Sequence, residues 1–438
     1  MSNSSQSSSE GNLTPGSYEI REILFFPNQG TTAETGVDIS QAVGSITIEE
    51  DLNHPFIECV LGIIDAANFY EEQRISGNEK VTIDIKRSPL AGTKEKISEF
   101  KLTFFIAEVF NFVRNAPGKQ FYKFRLVSEH LYTNQSKTLQ RSFEGSIGKL
   151  VKDICIKDLK VSKATINSDT KDIIKGVYPT IRPIQAINWL LKNAFDNGTP
   201  YFFYETLKDG LQFNSLENLY EKDIYEEYQF VPFFDHDIGT TGSYDEIRTR
   251  IKSFTSDLNM GKLNDVGSGA YASTLHTIDL ATKSYKKTVF NYDSSSPKKL
   301  SKEKPFSDNY KILDRGLSEL KEGKNYFISL NSEAYPSHKN YHAPAFSTIL
   351  KSESHLQTLG FNTHTINLPG DFGLQVGNKI KIETIKSTSI EDSDNATVML
   401  DKYNGGIYLV TRVVHNFGDT YNMIVTIQRD SVEARDNA

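Results

Sequence analysis

The sequence predicts an α+β, β-dominated chain of several domains: two similar β-barrel units, a helix-containing α/β unit and an irregular insertion. Three observations carry this expectation. The chain has 438 residues, more than the ~250 that a single hydrophobic core usually serves. Apolar residues alternate with period two near both ends of the chain, as half-buried strands require. The β segments at the two ends also repeat one another in order. Composition agrees, because 27 Phe and 21 Tyr against 1 Trp and 4 Met favour strands.

The composition also excludes several classes. With 38% hydrophobic and 24% charged residues, the chain is not expected to be disordered throughout. A formal charge of −7 argues against the basic faces that general nucleic-acid affinity needs. The longest mostly apolar run, around Phe104 to Phe112, is broken by Glu108 and Asn111. That is far short of the ~20 residues of a membrane span, so no stable membrane insertion is expected. The start, MSNSSQSSSEGN, lacks the basic and apolar regions of a signal peptide. Cys59 and Cys155 lie far apart in apolar stretches. They read as buried thiols in a reducing compartment, since they make neither a disulfide framework nor a Cys-based zinc site.

The Ser/Asn/Gly-rich residues 1–16 read as a flexible tail. Residues 17–135 are expected to form the first barrel. There Ile46 and Ile48 alternate with Ser45, Thr47 and Glu49, and CVLGII follows at Cys59 to Ile64. In KVTIDIK, Val81, Ile83 and Ile85 face one way while Thr82, Asp84 and Lys86 face the other. Lys101 to Val113 is apolar on both faces, as a strand covered on two sides would be. NAPG (Asn115 to Gly118) turns it into FYKFRLVS.

The period then changes, and residues 136–228 are expected to form a mixed α/β domain. Ile147, Leu150, Val151 and Ile154 fall at helical spacing, with Ser142 or Ser146 as N-cap. Pro183 opens a second helix striped by Ile184, Ile187, Leu190 and Leu191, which also holds Trp189. PYFFYET and GLQFNSL then pair through the Asp-Gly turn of LKDG. Residues 229–280 and 355–432 are assigned to the second barrel and 281–354 to an insertion or outer domain. Within these, SSSPKKLSKEKP (Ser294 to Pro305) reads as an exposed loop, and a helix is expected from about Pro344 to a cap at Gly360.

The repeat is the most informative feature. GNEKVTIDIK (Gly77 to Lys86) matches GNKIKIETIK (Gly377 to Lys386). FIAEVFNF and LVTRVVHNF follow at similar intervals, and each leads to a strand that opens with Tyr, YKFRLVS and YNMIVTIQRDS. Gly77, Asn78, Gly377 and Asn378 are therefore expected at matching turns. Val81, Ile83, Ile85, Ile380 and Ile382 should fill the barrels. Thr82, Asp84, Lys381 and Glu383 should face a neighbouring subunit, a lumen or solvent. Two similar units per chain let three copies present six near-equivalent subdomains, so a threefold object can abut a sixfold ring.

These segments resemble the baseplate hub proteins of contractile-tailed bacteriophages and their relatives in contractile injection systems. In the N-terminal unit the resemblance lies in SITIEEDL, IIDAANFY and ISGNEKVTIDI. In the middle it lies in RPIQAINWLLKNAFDNGTPYFFYET with DGLQFNSL, and at the end in GIYLVTRVVHNF with YNMIVTIQRDS, where His415 occupies the family's Val-x-His position. It covers roughly two thirds of the chain, by order and spacing, and fades between about Leu216 and Asn340. The resemblance implies two tube-like barrels per chain and a homotrimer that adapts the sixfold tail tube to a threefold cell-puncturing spike. Its partners would be tail tube protein, spike protein and other baseplate proteins. DNA would meet it only by passing through the lumen. The location would be the virion tail after assembly in host cytoplasm, with no cofactor and no catalysis.

Catalytic readings are weaker. His338 and His342 are spaced i, i+4 but lie between Pro336 and Pro344, without the Glu of a His-Glu-x-x-His motif. Asp235, His236 and Asp237 read as a solvated acidic loop. GSGAY (Gly267 to Tyr271) lacks the third Gly of a dinucleotide fingerprint, and neither a Walker motif nor a Gly-x-Ser-x-Gly elbow occurs. The alternative is a carbohydrate-binding or carbohydrate-cleaving tail protein. It would need aromatic platforms and paired carboxylates, and a single Trp argues against it.

Overall fold

The computed structural model describes residues 16–28, 35–87, 99–116, 118–162, 164–171, 173–194, 198–230, 244–257, 262–280, 282–292, 300, 311–312, 314–316, 319–320, 323–330, 343–384, 401 and 404–430. The fold is α+β and β-dominated. The expected tail, most of the 294–305 loop, Pro117 of the NAPG turn and the Asp235–Asp237 and His338–His342 groups lie outside the described residues.

The first strand system comprises β1 (Glu19–Phe26), β2 (Val37–Asp38), β3 (Val43–Asp51), β4 (Glu58–Asp65), a short α1 (Phe69–Glu72), β5 (Lys80–Lys86), β6 (Glu99–Ala116) and β7 (Lys119–Val127). The middle unit follows with α2 (Glu129–Ser136), β8 (Ser142–Gly145), α3 (Ile147–Lys157), β9 (Ala164–Ile166), β10 (Ile174–Val177), α4 (Pro183–Leu191), β11 (Tyr201–Thr206), β12 (Gly210–Ser215) and α5 (Leu216–Glu221). Next come β13 (Ile224–Phe230), α6 (Tyr244–Arg248), β14 (Ser253–Asp257), α7 (Lys262–Ser268), β15 (Ala272–Asp279), β16 (Ser284–Asn291), β17 (Lys311–Ile312), β18 (Arg315–Gly316), β19 (Lys324–Leu330) and α8 (Ala343–Leu359). The chain closes with β20 (Asn362–Pro369), β21 (Lys379–Thr384), β22 (Gly406–Phe417) and β23 (Tyr421–Arg429).

The two terminal systems have one topology. The first runs β3-β4-β7-β6-β5-β1 and the second β14-β20-β23-β22-β21-β13, so each of these six strands has a counterpart in the same chain order, while β2, paired with β1 at the end of the first, has none among the described residues. The ladders agree in detail. Lys80 lies opposite Phe105 and Lys379 opposite Leu409. The Asn78 amide donates to the Ile106 carbonyl at 2.7 Å, and the Gly377 amide to the Val410 carbonyl at 2.9 Å. Immediately afterwards both long strands bulge, between Ile106 and Glu108 and between Val410 and Arg412. A bulge re-aims a strand at a set place, so its recurrence ties β6 to β22 residue by residue. One pairing differs in sense: β1 lies antiparallel to β5, whereas β13 lies parallel to β21.

The two systems are one continuous sheet, because β22 also pairs with β3. Their buried residues accordingly form a single cluster that includes Ile83, Phe124, Ile382, Val413 and Val425. Burial of each such side chain contributes about 1.5–3 kcal/mol. The middle unit has its own core, in which α3 and α4 cover β11 and β12. Ser146 precedes α3 as expected, but the helix amides are met from elsewhere: Gly148 N donates to Asp169 Oδ1 at 2.7 Å and Ile147 N to Thr170 Oγ1 at 3.0 Å. Trp189 sits at the rim of the α4 stripe, 36% exposed, edge-on to Phe143.

The sheets do not follow the sequence-drawn boundaries. β13, mostly within residues assigned to the middle unit, pairs with β21. β15, assigned to the second barrel, lies in a separate three-stranded sheet with β16 and β19. This whole excursion leaves after β14 and returns in β20, and those two strands pair antiparallel, with Asp257 opposite Thr363. The counterpart connection in the first system is the short step from β3 to β4.

Candidate assembly interface

The two strand systems of the chain meet along a seam between β3 and β22. Six residues of each strand pair there, from Arg412 opposite Asp51 to Phe417 opposite Ile46. Across the seam Thr47 Oγ1 donates to Asn416 Oδ1 at 3.1 Å, and Arg412 Nε lies 2.6 Å from Glu49 Oε1. The charged pair is half-exposed and contributes at most about 1 kcal/mol; the ladder and the core behind it do most of the joining.

Glu50, on the buried face of β3, gathers three parts of the chain. It is 1% exposed. Its Oε1 accepts from Leu207 N at 2.8 Å, beside the β11–β12 turn, and its Oε2 from Val376 N at 3.1 Å, just before β21. His415 Nε2 lies 3.8 Å from the same carboxylate, and His415 Nδ1 lies 2.8 Å from Tyr421 Oη. Further bonds tie the middle unit to the second system: Lys222 Nζ to Gly377 O at 3.0 Å, Lys379 Nζ to Tyr220 O at 2.7 Å and Gln375 Nε2 to Asp209 Oδ2 at 2.6 Å.

Close by, the Glu205 carboxylate accepts from Ile57 N at 3.0 Å. Burial raises its pKa from the ordinary 4.5 to about 7; the Ile57 amide opposes the rise and the Glu50 charge adds to it. In the folded chain Glu205 keeps its proton to about pH 7, while the unfolded chain releases it near 4.5. Stability therefore falls as pH rises through that window. Glu205→Gln, which still offers an acceptor to Ile57, should be more stable than the parent at pH 8 by about 2–3 kcal/mol. The difference should shrink towards pH 5. Urea unfolding at the two pH values measures it, and an advantage that does not change with pH would refute the cause given.

The expected turn residues lie where the ladders begin. Gly77 and Asn78 have φ of 99° and 69°, and Gly377 has φ of 81°, the left-handed region that Gly and Asn tolerate. Asn378 has an ordinary φ, and its Oδ1 accepts from Gln375 N at 2.9 Å. Val81, Ile83, Ile85, Ile380 and Ile382 are all buried. Of the polar alternates, Thr82 is itself buried, opposite Leu24 and Thr103. Asp84 lies 3.7 Å from Arg21, and Lys381 pairs with Glu383 at 2.8 Å and Glu227 at 3.3 Å. Each of these four is engaged by its own chain. Sequence reading missed Glu50, whose place on the Ile46/Ile48 face was the available signal. It also missed the distal half of β6, where the two-faced apolar run was the signal: Phe112 and Val113 are 40% and 43% exposed.

No group of three or more metal-ligating side chains occurs among the described residues, and no described helix is long and apolar enough to cross a membrane. No protein-family model and no curated protein matches the chain. Solved structures do. A tail protein from Neisseria meningitidis MC58 superposes with a TM-score of 0.52 at 9% identity, over 95% of this chain and 97% of its own. The 43 kDa tail protein of prophage MuSo2 from Shewanella oneidensis gives 0.53 at 10% identity, over 94% and 99%. The chain thus shares its fold with these two tail proteins.

Proposed function

We propose that this chain is a structural hub of a contractile phage tail baseplate, a homotrimer that fits the sixfold tail tube to the threefold spike. The observation that carries this reading is the pair of strand systems with one topology, fused edge to edge through β22 and β3. With two similar units per chain, three copies in a closed cyclic arrangement present six near-equivalent units. The near full-length likeness to two tail proteins supports the same setting. Its partners are then tube protein above, spike protein below and other baseplate proteins around it, with DNA passing through the lumen. Its role is non-enzymatic and its place the virion tail.

Light scattering on the purified chain tests the reading. A mass three times that of the 49.4 kDa chain is expected, and a strict monomer at every concentration would count against it. Images of tail particles with a trimeric density at the distal end of the tube would locate it.

A further inference from the structure

The internal seam has a missing twin. β22 pairs with β23 along one side, and along the other first with β21 (Gly406 to Leu409) and then with β3 (Arg412 to Phe417). Its counterpart β6 pairs with β7 along one side and with β5 up to Phe105 along the other. Among the described residues, no strand covers β6 beyond that point. Likewise β3 is covered by β4 and β22, whereas among the described residues its counterpart β14 is covered by β20 alone. The chain thus has one strand edge of each kind needed for a second seam, and an uncovered apolar edge is a template for pairing.

We infer that the distal half of β6 in one copy pairs antiparallel with β14 of the next copy, repeating the β22–β3 seam between chains. This rests on the trimeric reading above and names the surfaces that would build it. The shared ladders fix the register. Val109 opposite Phe124 matches Val413 opposite Val425, so Phe110 takes the place of Val414. β6 then carries an extra residue, with Asn111 at φ 54°. Val113 opposite Phe121 therefore matches Asn416 opposite Asn422. On the other strand, Thr47 opposite Val60 matches Thr255 opposite Thr365, and Glu49 opposite Glu58 matches Asp257 opposite Thr363. Two of these β3 and β14 positions carry the same residue, Ser45 with Ser253 and Thr47 with Thr255. Carrying the seam across places Val113 opposite Thr255 and Phe110 opposite Asp257 of the neighbour. The two edges differ, so the contact is head-to-tail and closes only as a ring. Val113 and Phe112 are exposed in the single chain, as are Thr255 and Ser256.

Disulfide trapping tests the register. Chains carrying Val113→Cys are mixed with chains carrying Thr255→Cys, and Phe112→Cys with Ser256→Cys. Adjacent antiparallel pairs alternate in spacing, so one of the two mixtures holds the closer pair. Native Cys59 and Cys155 are buried. Oxidation should give a heterodimer band in at least one mixture that dithiothreitol removes and that neither partner gives alone. Light scattering on the unmodified chain separates the two claims. Trimers without the cross-link overturn this register and leave the threefold reading standing. A cross-linked heterodimer together with open ladders, and no trimers, in light scattering supports the edge pairing and overturns the threefold closure. Monomers without cross-links overturn both.

Discussion

Arg248→Met should lower the free energy of unfolding by about 3–5 kcal/mol, because it removes a buried cation from beside the carboxylates of Glu226 and Asp371. Arg248, at the end of α6, is only 5% exposed. Its Nη2 lies 2.6 Å from Glu226 Oε2 on β13, and its Nη1 3.6 Å from Asp371 Oδ2. Tyr225 Oη donates to the same Asp371 oxygen at 2.9 Å. Burial alone would lower the Arg248 pKa, but the bond and charge of Glu226, with Asp371, outweigh it and raise it well above the usual range. Methionine keeps the volume and removes the charge, so the loss reports electrostatics rather than a cavity. Urea denaturation followed by circular dichroism measures it. Adding Glu226→Leu to the same chain should restore part of the stability. A loss below 1 kcal/mol would mean that water reaches the cluster.

Gly370→Ala should cost about 3 kcal/mol by overpacking. A Cβ there would meet Tyr421 Cδ1 at 1.9 Å and Cγ at 2.2 Å. The ring has little room to yield, since it is fully buried and stacked on Phe417 at 4.3 Å, with its hydroxyl on His415. The Gly370 amide donates to Tyr421 O at 3.0 Å, and its carbonyl accepts from buried Arg87. Displacing this residue disturbs both anchors. Gly418→Ala is the control, because nothing lies within 4 Å of an added methyl there. A melting temperature lowered in the first variant and unchanged in the second is the expected outcome.

The strand cores were legible because alternation is a local signal. Val81, Ile83 and Ile85 declare a buried face within seven residues, and Ile380 and Ile382 do so again. The repeat was legible too, but its register was not. The letters align Gly77 with Gly377, whereas the ladders align Lys80 with Lys379, one position away. A turn can gain a residue without altering the strand that follows, and composition does not show where that happened. The parallel pairing of β13 with β21 joins segments about 150 positions apart, and nothing local announces it. Glu50 reads as one more charge in a run of acids; only three amide and imidazole partners from distant segments show it as a buried tie. Likewise Lys101 to Val113 reads as a strand covered on both sides, whereas in the single chain Phe112 and Val113 at its end are 40% and 43% exposed.

The excursion between β14 and β20 begins and ends on hydrogen-bonded neighbours. Everything from α7 to α8 therefore hangs from what is, topologically, a hairpin loop, and lengthening a loop costs little closure entropy. Sequence can be inserted, exchanged or removed at that point while the fused sheet keeps its geometry. Chains of this fold can thus differ greatly in length between β14 and β20 and still keep the same ladder on either side of the insertion.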